Sequence, residues 1–398
     1  MTEEQSTFDV IIFSGGGFKG AYGAGAAKAI ISYYKLMNIN RSLCFIGNSA
    51  GALNAAILAS TSDDDLIEFW LKANPKEVLG HSTPGLIRII LRYLLWAFFK
   101  KKDFFSIFSG KPLNNFINKA VSFSKIERED KHLIVVATDS IYADVRAFFS
   151  SKLMMKMLVA DKQKEFHAQR LKHWDLIDSQ EKLTLALQGS AAIPLAFPPV
   201  EIEYSRQGSR VKSYFIDGGV GNNIPTREAA YFHRMLKDLG LGTPGDTYCI
   251  KLSQDRVVAD DLEHDPFSIL LRTFDIYDEI HMGRIVASWH RINREIDDSM
   301  ERIAAFDQVL DAEIQDPLLR NKIKSESQRF NLRQHKLRLF EMNPTGSLGG
   351  TLDFSQVRIR NIIKMGHDDA IKMFVDQHMI TPDQGHSLIT EFRLPGGQ

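Results

Sequence analysis

Cysteine is nearly absent from this chain, since only Cys44 and Cys249 occur among its 398 residues. Both lie in apolar runs typical of buried strands, which favours inert core thiols over a disulfide framework or a metal site. We therefore expect a protein that uses no metal and no other cofactor.

Net charge is also missing. Lys plus Arg and Asp plus Glu both total 49, so the formal net charge is zero at pH 7. A chain without a global positive field is not drawn to nucleic acid, and any charge-driven binding must be local. The polar start, residues 1–5, lacks the basic and apolar regions of a signal peptide. The sequence thus predicts a cytoplasmic protein, while secretion through other signals and a peripheral position at a membrane stay open.

Low-complexity linkers and internal repeats are absent as well. We therefore expect one large domain over residues 8–378, followed by a loosely held tail over residues 379–398. Helical insertions are predicted at about 84–110, 151–188 and 260–330, where apolar residues recur at helical spacing or the composition suits helices.

What the chain does have is a series of short runs rich in Val, Ile, Phe and Leu. The runs are Phe8–Phe13, Leu43–Ile46, His132–Ala137, Ser213–Ile216, Tyr248–Leu252 and Lys336–Met342. Strands that are apolar on both faces and separated by helices indicate a mainly parallel sheet covered on two sides. The predicted fold class is α/β, a three-layer sandwich with a central sheet flanked by helices.

The first strand leads into a glycine-rich loop and then into a helix of small residues. Its members are Gly15, Gly16, Gly17, Phe18, Lys19 and Gly20. The spacing Gly-x-Gly-x-x-Gly fits a dinucleotide site, but such a site also needs an acidic residue about 20 positions later. No Asp or Glu occurs between Asp9 and Asp63, which argues against NAD or FAD. The alternatives are an oxyanion hole made of backbone N–H groups, or glycines that only permit tight packing.

A second strand-to-helix turn contains Gly47-Asn48-Ser49-Ala50-Gly51. The pattern Gly-x-Ser-x-Gly between a strand and a helix is typical of a nucleophile elbow, so Ser49 is the candidate nucleophile. A serine hydroxyl needs a neighbouring base. Asp217, at the end of an apolar strand and before Gly218 and Gly219, is one candidate, although such a residue also suits a simple cap. The other is His367, which would complete the chain order of a Ser-Asp-His triad.

Together these segments resemble the patatin-like phospholipases, a family of serine lipid acyl hydrolases. The resemblance rests on the glycine loop with Lys19 at its basic position, on the Gly47–Gly51 elbow and on Asp217–Gly219, in that order. A fourth block, Ser190–Pro194 followed by Phe197-Pro198, is similar too. The resemblance covers residues 8–374, whereas residues 255–330 match no part of the family pattern.

The resemblance implies a patatin-like fold and a Ser49–Asp217 dyad without histidine. In it the aspartate accepts the hydroxyl proton and later activates water, while amides of Gly16 and Gly17 hold the oxyanion. The implied substrate is a phospholipid or lysophospholipid. A non-catalytic lipid-binding protein on the same fold and a Ser-Asp-His esterase remain the alternatives.

The most apolar run, residues 86–99, is followed by three lysines. It is too short to cross a bilayer, which takes about 20 residues, and fits an interfacial helix, so we predict peripheral membrane contact through 86–102. A helix that covers the acyl cleft is the alternative. A second apolar stretch, formed by Leu153, Met154, Met155, Met157 and Leu158, suits either an acyl-chain groove or the core.

Overall fold

The computed structural model describes residues 6–79, 104–129, 131–161, 173–206, 209–253, 266–331, 336–349 and 355–395. In these residues a mainly parallel sheet lies between two layers of helices, so the predicted α/β three-layer class is confirmed. The strands are β1 (Thr7–Phe13), β2 (Ser42–Asn48), β3 (His132–Asp139), β4 (Asp144–Ser150), β5 (Trp174–Leu176), β6 (Val200–Arg206), β7 (Ser209–Ile216), β8 (Thr243–Ile250) and β9 (Arg338–Met342).

The strand order along the sheet is β5-β4-β3-β2-β1-β8-β9. Neighbouring strands run parallel except β3 and β4, and a β6–β7 hairpin joins the end of β3 through antiparallel pairs such as Thr138 with Ile216. Because β1, β2, β3 and β8 run in one direction, their carboxyl ends meet at a single edge. Sites of α/β proteins form at this kind of edge.

The helices begin and end as follows: α1 (Gly20–Leu36), α2 (Ala50–Ser60), α3 (Asp63–Lys72), α4 (Pro75–Leu79), α5 (Gly110–Ala120), α6 (Phe123–Arg128), α7 (Lys152–Asp161), α8 (Gln180–Ser190), α9 (Gly218–Asn222), α10 (Thr226–Leu239), α11 (Pro266–Glu313), α12 (Pro317–Asn331), α13 (Gln356–Asp376) and α14 (Pro382–Glu391). Helices α1, α2, α8 and α13 cover one face of the sheet, and α7, α10 and the middle of α11 cover the other.

Side chains of one strand alternate between two cores, as the pleat of a strand requires. Ile11 and Phe13 enter the core on the α1 side, whereas Val10 and Ile12 enter the opposite one. Both cysteines are free and buried, and burial raises the pKa of the Cys249 thiol to about 12. The prediction of inert core thiols is thereby confirmed, because the thiolate is the reactive form.

The predicted insertions differ in how they fold. The stretch at 151–188 is not entirely helical, because β5 lies inside it and adds an edge strand to β4, with Trp174 buried against Phe149. The stretch at 260–330 holds α11 and α12. Most of the stretch at 84–110 lies outside the described residues.

The expectation of a loosely held tail is wrong for residues 382–391. They form α14, which Thr381 and Gln384 begin with a reciprocal capping box, an arrangement that satisfies two otherwise unpaired amides. Leu388 and Ile389 then pack against the core beside α13. Local capping together with apolar contacts therefore fixes the end of the chain.

Candidate active site

The glycine loop and the serine turn lie side by side at the carboxyl edge of the sheet. The loop follows β1 and the turn follows β2, and these two parallel strands pair as far as Phe13 with Gly47. The serine turn opens directly into α2, and the glycine loop leads into α1 through a short 3₁₀ turn. The sequence prediction that both turns share one edge is confirmed.

Ser49 occupies a strained turn between β2 and α2, with φ +52° and ψ −130°. A Cβ atom on Gly47 would lie 2.3 Å from the carbonyl oxygen of Gly51, and one on Gly51 would lie 2.3 Å from that of Phe13. Both contacts are too close for any side chain, so the two glycines are sterically required. The turn thus has the strand–serine–helix geometry of a nucleophile elbow.

The Ser49 hydroxyl donates a hydrogen bond to Oδ2 of Asp217 at 2.6 Å. Both side chains are buried, with exposed fractions of 4% and 7%. The second oxygen of Asp217, Oδ1, accepts the N–H of Gly219 at 2.8 Å and caps α9. Burial raises the pKa of Asp217 to about 6, while the hydrogen bonds from Ser49 and Gly219 lower it.

The two glycines after Asp217 are needed for close approach. A Cβ atom on Gly218 would lie 2.4 Å from the carbonyl oxygen of Val136 on β3. A Cβ atom on Gly219 would lie 3.1 Å from Oδ1 of Asp217, the oxygen that its own amide caps. A side chain at Gly218 would therefore clash with β3, and one at Gly219 would crowd the Asp217 carboxylate.

The glycine loop turns around Gly17, whose φ of +58° favours glycine. Gly17–Lys19 forms a single 3₁₀ turn, in which Lys19 is half-buried, before α1 begins at Gly20. A Cβ atom on Gly20 would lie 2.7 Å from the ring of Trp70, so this glycine serves packing.

The backbone amides of the loop are not equivalent. The N–H of Gly15 donates to the side-chain oxygen of Asn223 at 2.9 Å. The amides of Gly16 and Gly17, and that of Ala50 at the start of α2, donate no hydrogen bond to a residue that the structure describes. These three N–H groups therefore differ from that of Gly15 in having no acceptor among the described residues.

The fourth block of the sequence braces both candidate catalytic residues. The Ser190 hydroxyl accepts a hydrogen bond from the backbone N–H of Ser49 at 2.9 Å and donates one to the carbonyl of Val136 at 2.5 Å. The carbonyl of Ala192 accepts the backbone N–H of Asp217 at 3.0 Å. The sequence marks this block by resemblance, but its bracing contacts, like those of Asn223, were not predicted.

His367 lies in the middle of α13 and is not part of the contact between Ser49 and Asp217. Its ring stacks on Phe392 with centroids 4.0 Å apart, and Nδ1 faces Asp368 at 3.2 Å. Burial lowers the pKa of His367. His367, Ser49 and Asp217 are all described residues, and no hydrogen bond joins His367 to either of the other two. The arrangement of a Ser-Asp-His triad is therefore not present, and that alternative is wrong.

An apolar groove opens beside Ser49. Apart from Gly17 and Ser49 its described lining is apolar, and includes Phe69, Leu113 and Phe116.

The methionine-rich stretch does not reach this groove. Met154 and Met157 are buried in the core on the opposite face of the sheet, because β4 and α10 enclose them there. The core alternative is therefore right for these two residues, whereas Met155 of the same stretch is exposed. The predicted membrane segment, 86–102, lies outside the described residues.

In the described ranges no helix is long and apolar enough to span a bilayer. In the same ranges no three His, Cys, Asp or Glu side chains cluster in a way that suits a metal ion.

Comparison with known proteins bears on the family. The family model described as patatin-like phospholipase matches residues 11–230, more than half of the chain. No curated protein matches the sequence. The crystal structure of VipD from Legionella pneumophila aligns with a TM-score of 0.33 and 14% identity, over 94% of this chain and 67% of VipD. From the match to the family model, this chain belongs to the patatin-like phospholipase family.

Proposed function

We propose that the protein is a serine lipid acyl hydrolase that releases ester-linked fatty acids from phospholipids or lysophospholipids. The observation that carries the proposal is the 2.6 Å hydrogen bond from the Ser49 hydroxyl to Asp217 at the wall of an apolar groove. The family match supports a lipid acyl hydrolase in general. The choice of phospholipid and the dyad are our inference.

In the proposed first step, Oγ of Ser49 attacks the ester carbonyl while its proton moves to Oδ2 of Asp217. The pKa of about 6 makes Asp217 a better base than a free aspartate, with a pKa of about 3.9, and leaves it mostly ionised at pH 7. The cap from Gly219 on the other oxygen fixes the orientation of the carboxylate.

The tetrahedral intermediate carries a negative oxygen that needs donors. We assign the amides of Gly16 and Gly17 to this role, with the amide of Ala50, which follows the nucleophile, as a third donor. Each such donor contributes roughly 3 kcal/mol to the transition state. Gly15 is excluded from the role because Asn223 already accepts its N–H.

Collapse of the intermediate breaks the ester C–O bond, and Asp217 gives the proton to the leaving alcohol. The fatty acyl group is then bound to Ser49, with its chain in the apolar groove. Asp217 next takes a proton from water, which attacks the acyl-serine, and the second collapse returns that proton to Oγ of Ser49 and frees the fatty acid.

The substrate must reach the groove from a lipid surface, and two exposed side chains at its rim suit that contact. Ile193 and Phe197 line the groove, while Leu195 between them has φ +67° and is 49% exposed. The carbonyl of Leu195 accepts the N–H of Ile107, which brings the segment of Phe104, also 49% exposed, beside it. We propose that this rim, with the predicted segment 86–102, contacts the membrane.

Fatty-acid release from phosphatidylcholine and lysophosphatidylcholine vesicles, measured by mass spectrometry, tests the function. We expect Ser49→Ala and Asp217→Asn to lose at least about 10³-fold in rate, as the loss of a nucleophile or its base requires. Ser60→Ala at the other end of α2 is the matched control and should retain wild-type rates. Fatty-acid release that survives Ser49→Ala would contradict the proposal.

His367→Ala separates a dyad from a triad in the same assay. We expect a modest change, because His367 packs on Phe392 and does not touch Ser49 or Asp217. A loss of several orders of magnitude with an intact fold would restore the triad. A non-catalytic lipid-binding protein would instead bind vesicles without reaction of Ser49 with a fluorophosphonate.

A further inference from the structure

Asn223 lies behind the candidate active site, directly after α9, and is 1% exposed. One oxygen of its side chain accepts two hydrogen bonds, from the N–H of Gly15 and from Nδ2 of Asn48, both at 2.9 Å. Because both partners are donors, the shared atom must be the carbonyl oxygen of the amide. Gly15 belongs to the glycine loop and Asn48 precedes Ser49, so a single oxygen ties the loop to the elbow.

We propose that Asn223 is a positioning residue that sets the distance between the oxyanion donors and the nucleophile. This inference rests on the proposed function and deepens it. Asn223 holds the N–H of Gly15, whereas the next two amides, of Gly16 and Gly17, have no acceptor among the described residues and are the donors assigned above to the oxyanion. A displacement of about 1 Å in such an arrangement costs on the order of 10²-fold in rate.

The contact has little room to shift. A Cβ atom on Gly15 would lie 2.7 Å from Oδ1 of Asn223 and 3.0 Å from Cβ of Ser49. A Cβ atom on Gly219, next to the cap of Asp217, would lie 3.1 Å from the same Asn223 oxygen. The loop, the elbow and the aspartate motif therefore converge on one atom.

The other end of the Asn223 amide is held by the long helix α11. Its Nδ2 donates to Sδ of Met282 at 3.7 Å, and Met282 is 2% exposed. Trp289, two turns further along, donates from Nε1 to Thr226 at 2.8 Å and anchors α11 beside α10. The helix lies in the region without a counterpart in the family pattern, and this contact gives it a link to the candidate active site.

Hydrogen exchange tests the contact without relying on activity. Asn223→Ala should speed deuterium uptake at least tenfold in peptides that span residues 14–20, because the N–H of Gly15 loses its acceptor. Asn222→Ala is the matched control, since its side chain donates to Glu228 at 3.2 Å and not to the loop. Asn223→Asp keeps the acceptor oxygen and should keep the protection.

Kinetics on a soluble p-nitrophenyl ester test the consequence. We expect Asn223→Ala to lower kcat by roughly 10- to 100-fold with KM within twofold, since the defect lies in transition-state contacts. Asn223→Ser replaces it if the alanine variant does not fold, because a hydroxyl one atom shorter does not reach Gly15.

The outcomes separate the two proposals. Unchanged exchange in residues 14–20 overturns the contact, and faster exchange with unchanged kcat overturns its positioning role. Faster exchange together with a lower kcat, absent from the Asn222→Ala control, supports both. An inactive wild-type protein overturns the proposed function instead, and exchange alone then decides whether Asn223 holds the loop.

Discussion

Asp217 uses its two carboxylate oxygens for different tasks. Oδ1 caps α9 through Gly219, and Oδ2 accepts the hydrogen bond from the Ser49 hydroxyl. The sequence offers a cap and a catalytic base as competing interpretations, yet the geometry allows both at once. The cap holds the carboxylate in one orientation, and burial strengthens it as a base by disfavouring its charged form.

The raised pKa of Asp217 leads to a pH dependence. As the pH falls through about 6, the carboxylate becomes protonated and no longer accepts the proton of Ser49. We expect kcat/KM for a soluble ester to fall about tenfold per pH unit below that value and to level off above it, because kcat/KM reports the free enzyme. His367→Ala should leave the midpoint in place. A midpoint near 4 in the wild-type profile would contradict the effect of burial.

The role of an individual residue can be predicted from sequence where the constraint on its backbone is local. The Ser49 turn follows from two glycines within two positions of it, and any chain with that pattern meets the same backbone clashes. Ser190 and Asn223 are different, because they meet Ser49 and Gly15 across 141 and 208 positions of the chain. Serine and asparagine occur widely in caps and turns, so only the fold shows that these two brace a site.

Helices α1 and α13 cross in near backbone contact, and α1 carries the glycine loop at its start. A Cβ atom on Gly25 would lie 1.8 Å from the carbonyl oxygen of Ile363, and one on Gly366 would lie 2.0 Å from that of Tyr22. Tyr33 also stacks on Phe374 at 4.3 Å. The crossing depends on glycine in both helices.

We expect Gly25→Ala and Gly366→Ala to lower the free energy of unfolding by about 1–3 kcal/mol each, the usual cost of overpacking. Gly283→Ala is the matched control, since a Cβ atom there meets nothing within 4 Å. In the interior of α11 it should stabilise by about 0.5–1 kcal/mol because alanine is the better helix former. Urea denaturation measures all three. A crossing variant as stable as the wild-type protein would contradict the contact.

At the scale of elements, the strands apparent from sequence are the ones with continuous apolar runs, such as β1, β2 and β3. Strand β6 has no continuous apolar run and was not predicted. Its buried residues Val200, Ile202 and Tyr204 alternate with exposed Glu201 and Glu203, which is the pattern of a strand with one solvent-exposed face.

Strand β4 was not predicted for a different reason. It begins with Asp144 and carries Arg146, whose side chain is fully buried because Asp175 on β5 pairs with it at 2.7 Å. A buried charge is tolerated only with its partner. That partner is 29 positions away, so the pattern of β4 makes sense only once β5 is in place.

The molecule as a whole has no net charge to draw it to an anionic surface. At the rim of Phe104 and Leu195, association with lipid rests on burial of apolar side chains, which contributes roughly 1.5–3 kcal/mol per large residue. The rim residues Phe104 and Leu195 lie beside the groove, whereas Leu36, also exposed, ends α1 at the opposite edge of the sheet. The position of an apolar side chain, more than its exposure, should decide whether it serves lipid binding.

Vesicle sedimentation with phosphatidylcholine tests this expectation. Phe104→Asp and Leu195→Asp should each lower the vesicle partition coefficient by about tenfold or more, since about 1.4 kcal/mol corresponds to a factor of ten. Hydrolysis of vesicle lipid should fall further than hydrolysis of a soluble ester. Leu36→Asp, 42% exposed before substitution, should leave both unchanged. Because the contact of Phe104 and Leu195 with lipid is apolar, 0.5 M salt should not release the protein from the vesicles. Release by salt, or an equal effect of Leu36→Asp, would contradict the proposal that the rim binds the membrane.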